Sequence, residues 1–203
     1  MEDASLLQAW RSGDKAAGET FFNRHYDAVT RFFANKTSID PVDLVQETFE
    51  ACVAGRDRIR DSTSVRSYLF GIAYNVLRRH YEKDRVAGER FDPESRSVAD
   101  VAPGPGTMVA KGAEQQLLLD GLRRIPLHLQ VVLELFYWEN MTSAAIAEAL
   151  GEPHGTVRTR LRRARELLKE AIEEASASPK VAASTTSDLD GWAAQVRDAG
   201  DPT

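Results

Sequence analysis

The stretch from Thr142 to Lys169 reads TSAAIAEALGEPHGTVRTRLRRARELLK and decides how the rest of the chain is interpreted. It opens with a residue suited to cap a helix, continues with helix-forming alanines, and breaks at Gly151, which permits a left-handed turn. After Pro153 the apolar residues recur at steps of four, three and four: Val157, Leu161, Ala164 and Leu168. This pattern predicts two helices joined by a tight turn, which is the arrangement of a helix-turn-helix.

The second predicted helix is strongly basic. Between His154 and Glu170 there are six Lys or Arg residues and two Glu. Because the apolar stripe must face a core, the arginines point elsewhere, and arginine in the major groove of DNA pairs with guanine through two hydrogen bonds. The alternative is a solvated basic helix on an ordinary helical bundle. The preceding tight turn favours the DNA-binding interpretation.

The net charge of −5 contrasts with this basic helix, and the distribution of charge explains the contrast. Residues 173–203 hold six acidic and two basic residues, which leaves the remainder of the chain close to neutral. A second basic segment covers residues 66–85, with five Lys or Arg against two acids. Local field matters more than total charge for docking on phosphates.

The chain divides into four segments by composition. Residues 3–85 and 114–172 carry helical periodicity, whereas residues 86–113 contain three prolines and four glycines and indicate a flexible linker. Residues 173–203 form an acidic tail. No segment has the period of a strand. The sequence therefore predicts an all-α fold of two small helical domains joined by a linker.

Several functional classes are disfavoured. No run of residues approaches the ~20 apolar positions that span a bilayer, and the N-terminus lacks the pattern of a secretory signal, so we expect a cytoplasmic protein. Cys52 is the single cysteine and is expected to be a buried packing thiol. No paired carboxylates, metal-ligand spacing or nucleophile constellation is visible, so we expect no catalysis, cofactor or metal.

The first helical block shows an aromatic core, a helix with an acidic face and a basic helix. The expected core residues of its early part are Phe21, Phe22, Tyr26, Val29, Phe32 and Phe33. From Asp40 the next helix has Leu44, Val45, Thr48, Ala51 and Cys52 on one side and Asp43, Gln46, Glu47 and Glu50 on the other. A third helix is predicted from about Ser64 to Lys83. Its aromatics either pack in the core or stack on unpaired bases: Tyr68, Phe70, Tyr74 and Tyr81.

Three segments together carry a family resemblance: DPVDLVQETF (40–49), SVRSYLFGIAYNVLRRHYEK (64–83) and LGEPHGTVRTRLRRARELL (150–168). In this order, over about residues 5–172, the chain resembles RNA polymerase sigma factors of the sigma-70 family, extracytoplasmic-function type. The resemblance implies a dissociable polymerase subunit that recognises and opens promoters. Its partners would be core RNA polymerase and promoter DNA, and relatives are often held by an anti-sigma protein.

The resemblance also implies three sets of site residues. The residues implied for core-polymerase binding, on a helix similar to the one that meets the clamp coiled coil, are Asp40, Asp43, Leu44, Gln46 and Glu47. Those for the minus-ten element, beside a base pocket over 61–67, are Ser64, Arg66, Asn75, Arg78 and Arg79. Those for the minus-thirty-five element are Arg158, Thr159, Arg162 and Arg163. Two alternatives stay open: a stand-alone helix-turn-helix regulator, and an adaptor that binds only proteins.

Three further expectations concern departures from the family pattern. Val42 stands where relatives usually carry an acid, which removes one negative charge from the polymerase-binding segment. Phosphate on Thr37, Ser38 or Thr48 would restore negative charge nearby. Residues 176–203 extend beyond the usual end of the family, either as a disordered tail or as an acidic segment that folds back on a basic DNA-reading face.

Overall fold

The computed structural model describes residues 2–37, 39–58, 65–83, 97–98, 112–176 and Gly191. Within these ranges the chain forms eight α-helices, a short 3-10 helix (Arg56–Arg58) and no strand, which confirms the all-α prediction. The helices are α1 (Asp3–Arg11), α2 (Lys15–Ala34), α3 (Val42–Gly55), α4 (Val65–Lys83), α5 (Ala113–Arg124), α6 (Leu127–Tyr137), α7 (Ser143–Leu150) and α8 (His154–Ala175). No helix of the described residues is both long and apolar enough to cross a membrane.

Helices α1 to α4 form the first domain around an aromatic core. Its fully buried residues include Phe21, Val29, Phe32, Phe33, Cys52, Leu69, Phe70 and Leu77. Burial raises the pKa of the Cys52 thiol to about 12, as expected for a packing cysteine. The prediction of a core role for Tyr26 is wrong, because this ring is 44% exposed and stacks on Phe49 at the edge of the apolar stripe.

Helices α5 to α8 form the second domain, and the predicted helix-turn-helix is α7 and α8. The Thr142 hydroxyl accepts a hydrogen bond from Ala145 N at 3.2 Å and caps α7. Gly151 has a φ of 66°, the left-handed conformation that ends the helix. The predicted stripe of Val157, Leu161, Ala164 and Leu168 is buried. Helix α6, which precedes the helix-turn-helix, is buried over most of its length.

Part of the segment predicted as an extended linker is docked. Val98 is 1% exposed, and Ser97 forms an isolated β-bridge with Pro126. Val98 belongs to the buried hydrophobic cluster, and the removal of its apolar side chain from water outweighs the composition of the surrounding segment. The rest of residues 86–111, and residues 177–203 apart from Gly191, lie outside the described residues.

The two domains pack directly against each other, mainly through α4 and α7. Gly71 of α4 approaches α7 so closely that an added Cβ would lie 2.7 Å from the carbonyl oxygen of Ala149. The Ser67 hydroxyl donates to the carbonyl oxygen of Ala145 at 3.0 Å. The sequence predicted the two domains without this contact, because it joins residues far apart in the chain.

Candidate nucleic-acid interface

The residues predicted for minus-thirty-five reading lie together on the exposed face of α8. Arg158, Thr159, Arg162 and Arg163 are all exposed, on the side of α8 away from its buried stripe. Arg162 and Arg163 contact only Glu166 among the described residues, at 3.9 and 3.3 Å, and the Arg162 side chain is 78% exposed. A single exposed glutamate holds such arginines weakly, so they are available to a ligand.

This face borders an open cleft of about 680 Å³ between α6, α7 and α8. Its lining residues are Phe136, Ser143, Gly155, Arg158, Thr159, Leu161, Arg162 and Arg165. Ser143 Oγ and His154 Nε2 lie 2.8 Å apart and link the first turns of α7 and α8. The N-terminus of a helix presents free N–H groups and positive potential, so the cleft suits an anionic ligand such as a phosphate backbone.

Two further arginines of α8, Arg160 and Arg165, have different partners. Arg160 Nη1 donates to Glu152 Oε1 at 2.5 Å, so its charge is compensated inside the domain. Arg165 Nε donates to the Tyr137 hydroxyl at 2.9 Å, and its guanidinium lies 5.3 Å from the Phe136 ring centroid. The two aromatic rings hold Arg165 at the cleft, and the Phe-Tyr pair at the end of α6 was the signal for this role.

The residues predicted for minus-ten reading are more constrained than those on α8. Asn75, Arg78 and Arg79 are exposed on α4. Arg78 lies 3.8 Å from Glu82, and Arg79 Nη2 lies 3.1 Å from Glu47 Oε1. The second pair joins a residue expected to contact promoter DNA to one expected to contact the polymerase. Ser64 and most of the predicted base-pocket loop over 61–67 lie outside the described residues.

Arg66 is bound to the second domain. Its Nη2 donates to Glu139 Oε2 and to the Glu139 carbonyl oxygen, both at 2.8 Å. The other carboxylate oxygen of Glu139 accepts from Arg31 Nε at 3.0 Å. Glu139 is therefore buried between two arginines of the first domain. In the sequence, Glu139 follows closely after the apolar helix α6, and nothing at that position predicts the two arginine partners.

The aromatic residues of α4 belong mostly to the core. Phe70, Tyr74 and Tyr81 are buried, which excludes base stacking by these three in this arrangement. The Tyr81 hydroxyl donates to the carbonyl oxygen of Lys36. Tyr68 is half-buried, so of the four candidates it keeps the most accessible ring.

The acidic face of α3 is formed as predicted, with one correction. Asp43, Gln46 and Glu50 are exposed, and Gln46 Nε2 donates to Glu50 Oε1 at 2.8 Å. Asp40 is exposed, and its carboxylate accepts from Val42 N at 3.0 Å, the first N–H of α3, while Pro41 occupies the N-cap position. Leu44 is 5% exposed and packs inside the first domain, so it supports this face without offering a side chain to a partner.

Phosphorylation of the two threonines is not compatible with their positions. Thr37 and Thr48 are buried, and the Thr48 hydroxyl donates to the carbonyl oxygen of Leu44 at 2.7 Å. Thr48 lies on the apolar side of α3, as its spacing predicts. Ser38 lies outside the described residues. Val42, which lies beside the acidic face of α3, is 50% exposed.

A buried lysine–glutamate pair joins the domains beneath the Glu139 contact. Lys36 follows α2 and donates to Glu134 of α6, and both side chains are almost fully buried. Gln130 Nε2 donates to the second Glu134 oxygen at 2.8 Å and to the carbonyl oxygen of Asn35 at 3.2 Å. Burial lowers the pKa of Lys36 and raises that of Glu134. Gln130 and Glu134 are polar residues within the otherwise apolar run of α6. This exception was the sequence signal for a buried polar contact, and it was missed.

Comparisons with known proteins identify both domains. Residues 21–86 match the family model for sigma-70 region 2, and residues 115–168 match the model for sigma-70 region 4. The first match contains α3 and α4, and the second contains α6, α7 and most of α8. The order and content of the two matches agree with the two helical domains of the structure.

Relatives match over most of the chain. The extracytoplasmic-function (ECF) RNA polymerase sigma-E factor of Haemophilus influenzae is 26% identical over 184 residues, covering 85% of this chain and 96% of that protein. The sigma-E factor of Escherichia coli K12 is 23% identical, covering 85% and 95%. A solved structure of CnrH in complex with the cytosolic domain of CnrY shares the fold, with a TM-score of 0.64 at 24% identity. It covers 86% of this chain and 99% of that one.

One domain carries a basic helix-turn-helix and matches sigma-70 region 4, and the other helical domain matches sigma-70 region 2. Together they define a transcription initiation factor. The chain belongs to the sigma-70 family of RNA polymerase sigma factors, in its extracytoplasmic-function group. It binds core RNA polymerase and promoter DNA and directs promoter-specific transcription. Proteins of this family act in initiation without being enzymes themselves.

Proposed function

We propose that α8 reads the minus-thirty-five element through Arg158, Thr159, Arg162 and Arg163. The observation that supports this most strongly is their common exposure on one face beside an open cleft. A guanine contacted by arginine through two hydrogen bonds contributes about 1–3 kcal/mol of discrimination. Arg165, held by Phe136 and Tyr137, is assigned a phosphate contact that fixes the orientation of the helix on the duplex.

The first domain is assigned the minus-ten element and core polymerase. Asn75, Arg78 and Arg79 are exposed on α4, where an amide can bind a base edge and the arginines can bind phosphates. Ser64 and Arg66 complete this set by resemblance to the family. On α3, Asp40, Asp43, Gln46 and Glu47 form an acidic surface suited to a basic protein surface, with the polymerase clamp coiled coil as its proposed partner.

The domain limits proposed for these activities are 3–85 for region 2, 86–113 for the linker, 114–172 for region 4 and 173–203 for the tail. The chain itself supplies binding and strand capture, and catalysis belongs to the polymerase. We assign its site of action to the cytoplasm, where polymerase and promoter DNA are found. The acidic tail is assigned no contact.

Transcription with purified components tests the assignment on α8. Core polymerase with the chain should give promoter-specific transcripts, and Arg158→Ala should reduce them about 5- to 150-fold at limiting chain. Lys169→Ala is the matched control, because Lys169 is an exposed basic residue on the same helix that pairs only with Glu173 among the described residues. Equal loss in both variants would contradict a base-reading role for Arg158.

The same assay separates the stand-alone regulator from the sigma factor. A regulator would bind duplex DNA tightly without polymerase and would give no transcripts with core enzyme alone. The proposed function predicts the opposite pattern in both measurements.

A regulatory protein partner is proposed by analogy. CnrH, which shares this fold, was solved in complex with the cytosolic domain of CnrY. We infer that this chain also accepts a protein of anti-sigma type. Co-purification of the full chain from its own cells should recover a stoichiometric protein other than polymerase subunits, and recovery of polymerase alone would contradict the inference.

A further inference from the structure

A short piece of the segment between the two domains is held by region 4. Val98 is 1% exposed and belongs to the hydrophobic core cluster. Its neighbour Ser97 forms an antiparallel β-bridge with Pro126, at the junction of α5 and α6. Residues 97–98 are therefore fixed on region 4 before the chain reaches α5.

The junction of α5 and α6 is suited to accept an extended segment. Ile125 is extended (φ −83°, ψ 156°), and Pro126 (φ −53°, ψ 138°) lies near polyproline II geometry. Proline disfavours helical geometry in the residue before it, so the sequence itself enforces this break between the helices. Full burial of a valine side chain favours the docked state about 10- to 150-fold over an exposed one.

Docking shortens the covalent path between the two DNA-reading helices. Fourteen Cα–Cα steps join Lys83, the last residue of α4, to Ser97, and 30 steps join it to Ala113, the first residue of α5. At no more than about 3.6 Å per residue, the first path reaches at most about 50 Å and the second at most about 108 Å. Docking therefore halves the distance by which region 4 can be separated from region 2.

The shorter path is close to the separation that a promoter requires. The positions that name the minus-ten and minus-thirty-five elements differ by about 25 base pairs, which is about 85 Å at 3.4 Å per base pair. A compact domain of about 60 residues spans about 27 Å. With that span and the turn of α4 between Arg79 and Lys83 included, the docked path reaches about 83 Å when fully straight. The undocked path exceeds the required separation by about 55 Å.

We propose that Val98 sets the longest spacer, the DNA between the two promoter elements, that this protein reads efficiently: docked beside Pro126, it limits the path between regions 2 and 4 to about the standard separation. A longer spacer then requires Val98 to leave the core. A shorter spacer favours the docked chain, because the effective concentration of the second reader falls as about the −3/2 power of the length of a flexible chain. This inference rests on the proposed assignment of α4 and α8 to the two elements.

Transcription from a series of promoters with different spacers tests the limit. Spacers shortened or lengthened by one to three base pairs are compared for the unchanged chain, Val98→Asp, Val98→Ser and the conservative control Val98→Ile. Relative to the unchanged chain, both polar variants should give about tenfold more transcript from the longest spacer, because no docking is lost. They should give about threefold less from the shortest, because the path is doubled.

The change of sign along the series is what identifies a spacer limit. The twist of the DNA between the elements changes equally for every variant, so the ratio between variants reports the path alone. Val98→Ile keeps an apolar side chain and should reproduce the profile of the unchanged chain. Agreement between Val98→Ser and Val98→Asp should show that loss of burial, and not the added charge, causes the effect.

The reactivity of Val98→Cys reports docking itself. Cysteine packs as a small apolar residue, and Glu170→Cys on the exposed face of α8 supplies the rate of a free thiol. Cys52 is buried and its pKa is raised to about 12, so it reacts with neither rate. In the holoenzyme on the shortest spacer, Val98→Cys should react with a maleimide at least tenfold more slowly than Glu170→Cys. On the longest spacer the two rates should converge.

Three results would contradict different parts of the account. Val98→Cys that reacts as fast as Glu170→Cys in the holoenzyme on every spacer would overturn docking during promoter recognition. A uniform change across the series, or none, for both polar variants would overturn the spacer limit, even with promoter-specific transcription. Absence of promoter-specific transcripts from the unchanged chain on every spacer would instead contradict the proposed function.

Discussion

The two basic helices of this protein, α8 and α4, differ in what their arginines already contact. On α8, Arg162 and Arg163 contact one exposed glutamate, and the face opens onto a cleft. On α4, Arg66 is bound by Glu139 and Arg79 by Glu47. Composition makes the two helices look alike. The fold leaves one reader exposed and gives the other acidic partners.

A basic segment is therefore a binding site only to the extent that the fold leaves its charges without internal partners. An exposed ion pair of the Arg79–Glu47 kind contributes about 0.2–1 kcal/mol and is easily exchanged for a phosphate. Arg66 instead shares a buried carboxylate with Arg31. Its release requires the two domains to separate, so access to α4 is coupled to domain arrangement.

We expect the largest effect from loss of Lys36, whose buried ion pair with Glu134 joins the two domains. Lys36→Ala leaves Glu134 buried without its counter-charge, which costs about 3–5 kcal/mol for the packed arrangement. Urea unfolding should then show two separate transitions for the two domains in place of one. Lys36→Met combined with Glu134→Leu is the control, because an apolar pair of similar volume restores packing. A single unchanged transition for Lys36→Ala would contradict the role of the pair.

Truncation to alanine should reduce promoter affinity by different amounts for an arginine of α8 and an arginine of α4. Arg158→Ala removes a free contact and should cost about 1–3 kcal/mol in promoter affinity of the holoenzyme. Arg66→Ala should cost less in the overall reaction, because Arg66 already donates to Glu139 and must give up that ion pair when it contacts DNA. Promoter binding measured from 50 to 200 mM salt checks this, and each lost phosphate contact should lower the salt slope by about one. Equal losses would show that Arg66 is as free as Arg158.

Glu47 should affect polymerase binding and promoter capture in opposite directions. Glu47→Gln removes a charge from the acidic face of α3 and should weaken core association about two- to fivefold, as for a half-exposed pair. It also frees Arg79, which should bind the melted strand slightly better. Fluorescence anisotropy with core polymerase and with a single-stranded promoter oligonucleotide separates the two effects. Weakening of both would contradict the pairing as a restraint on Arg79.

The smallest expected effect is a gain at Val42. This residue is 50% exposed beside Asp43, at a position where the family resemblance implies an acid. Val42→Asp adds a charge to the first turn of α3 and should tighten core association by less than about 1 kcal/mol, and less at high salt. Val53→Asp, an exposed position at the other end of the helix, is the control. A larger gain from the control would contradict the assigned polymerase surface.

Local features were predictable from the sequence, and features made between distant segments were not. Thr142, Gly151 and the buried stripe of α8 act within a few residues of each other, so their spacing alone predicts the helix-turn-helix. Lys36 and Glu134 are 98 positions apart, and no periodicity relates them. The burial error at Tyr26 falls where the apolar stripe of α2 meets the surface, whereas Leu44 is buried on the apolar side of α3 as predicted.

Sequencing the 5′ ends of transcripts from fragmented genomic DNA gives the most direct test of the central claim. Core polymerase with the chain should produce shared start sites preceded by two common elements, and Arg158→Ala should relax the upstream element while the downstream one persists. Start sites identical to those of core polymerase alone would contradict the account.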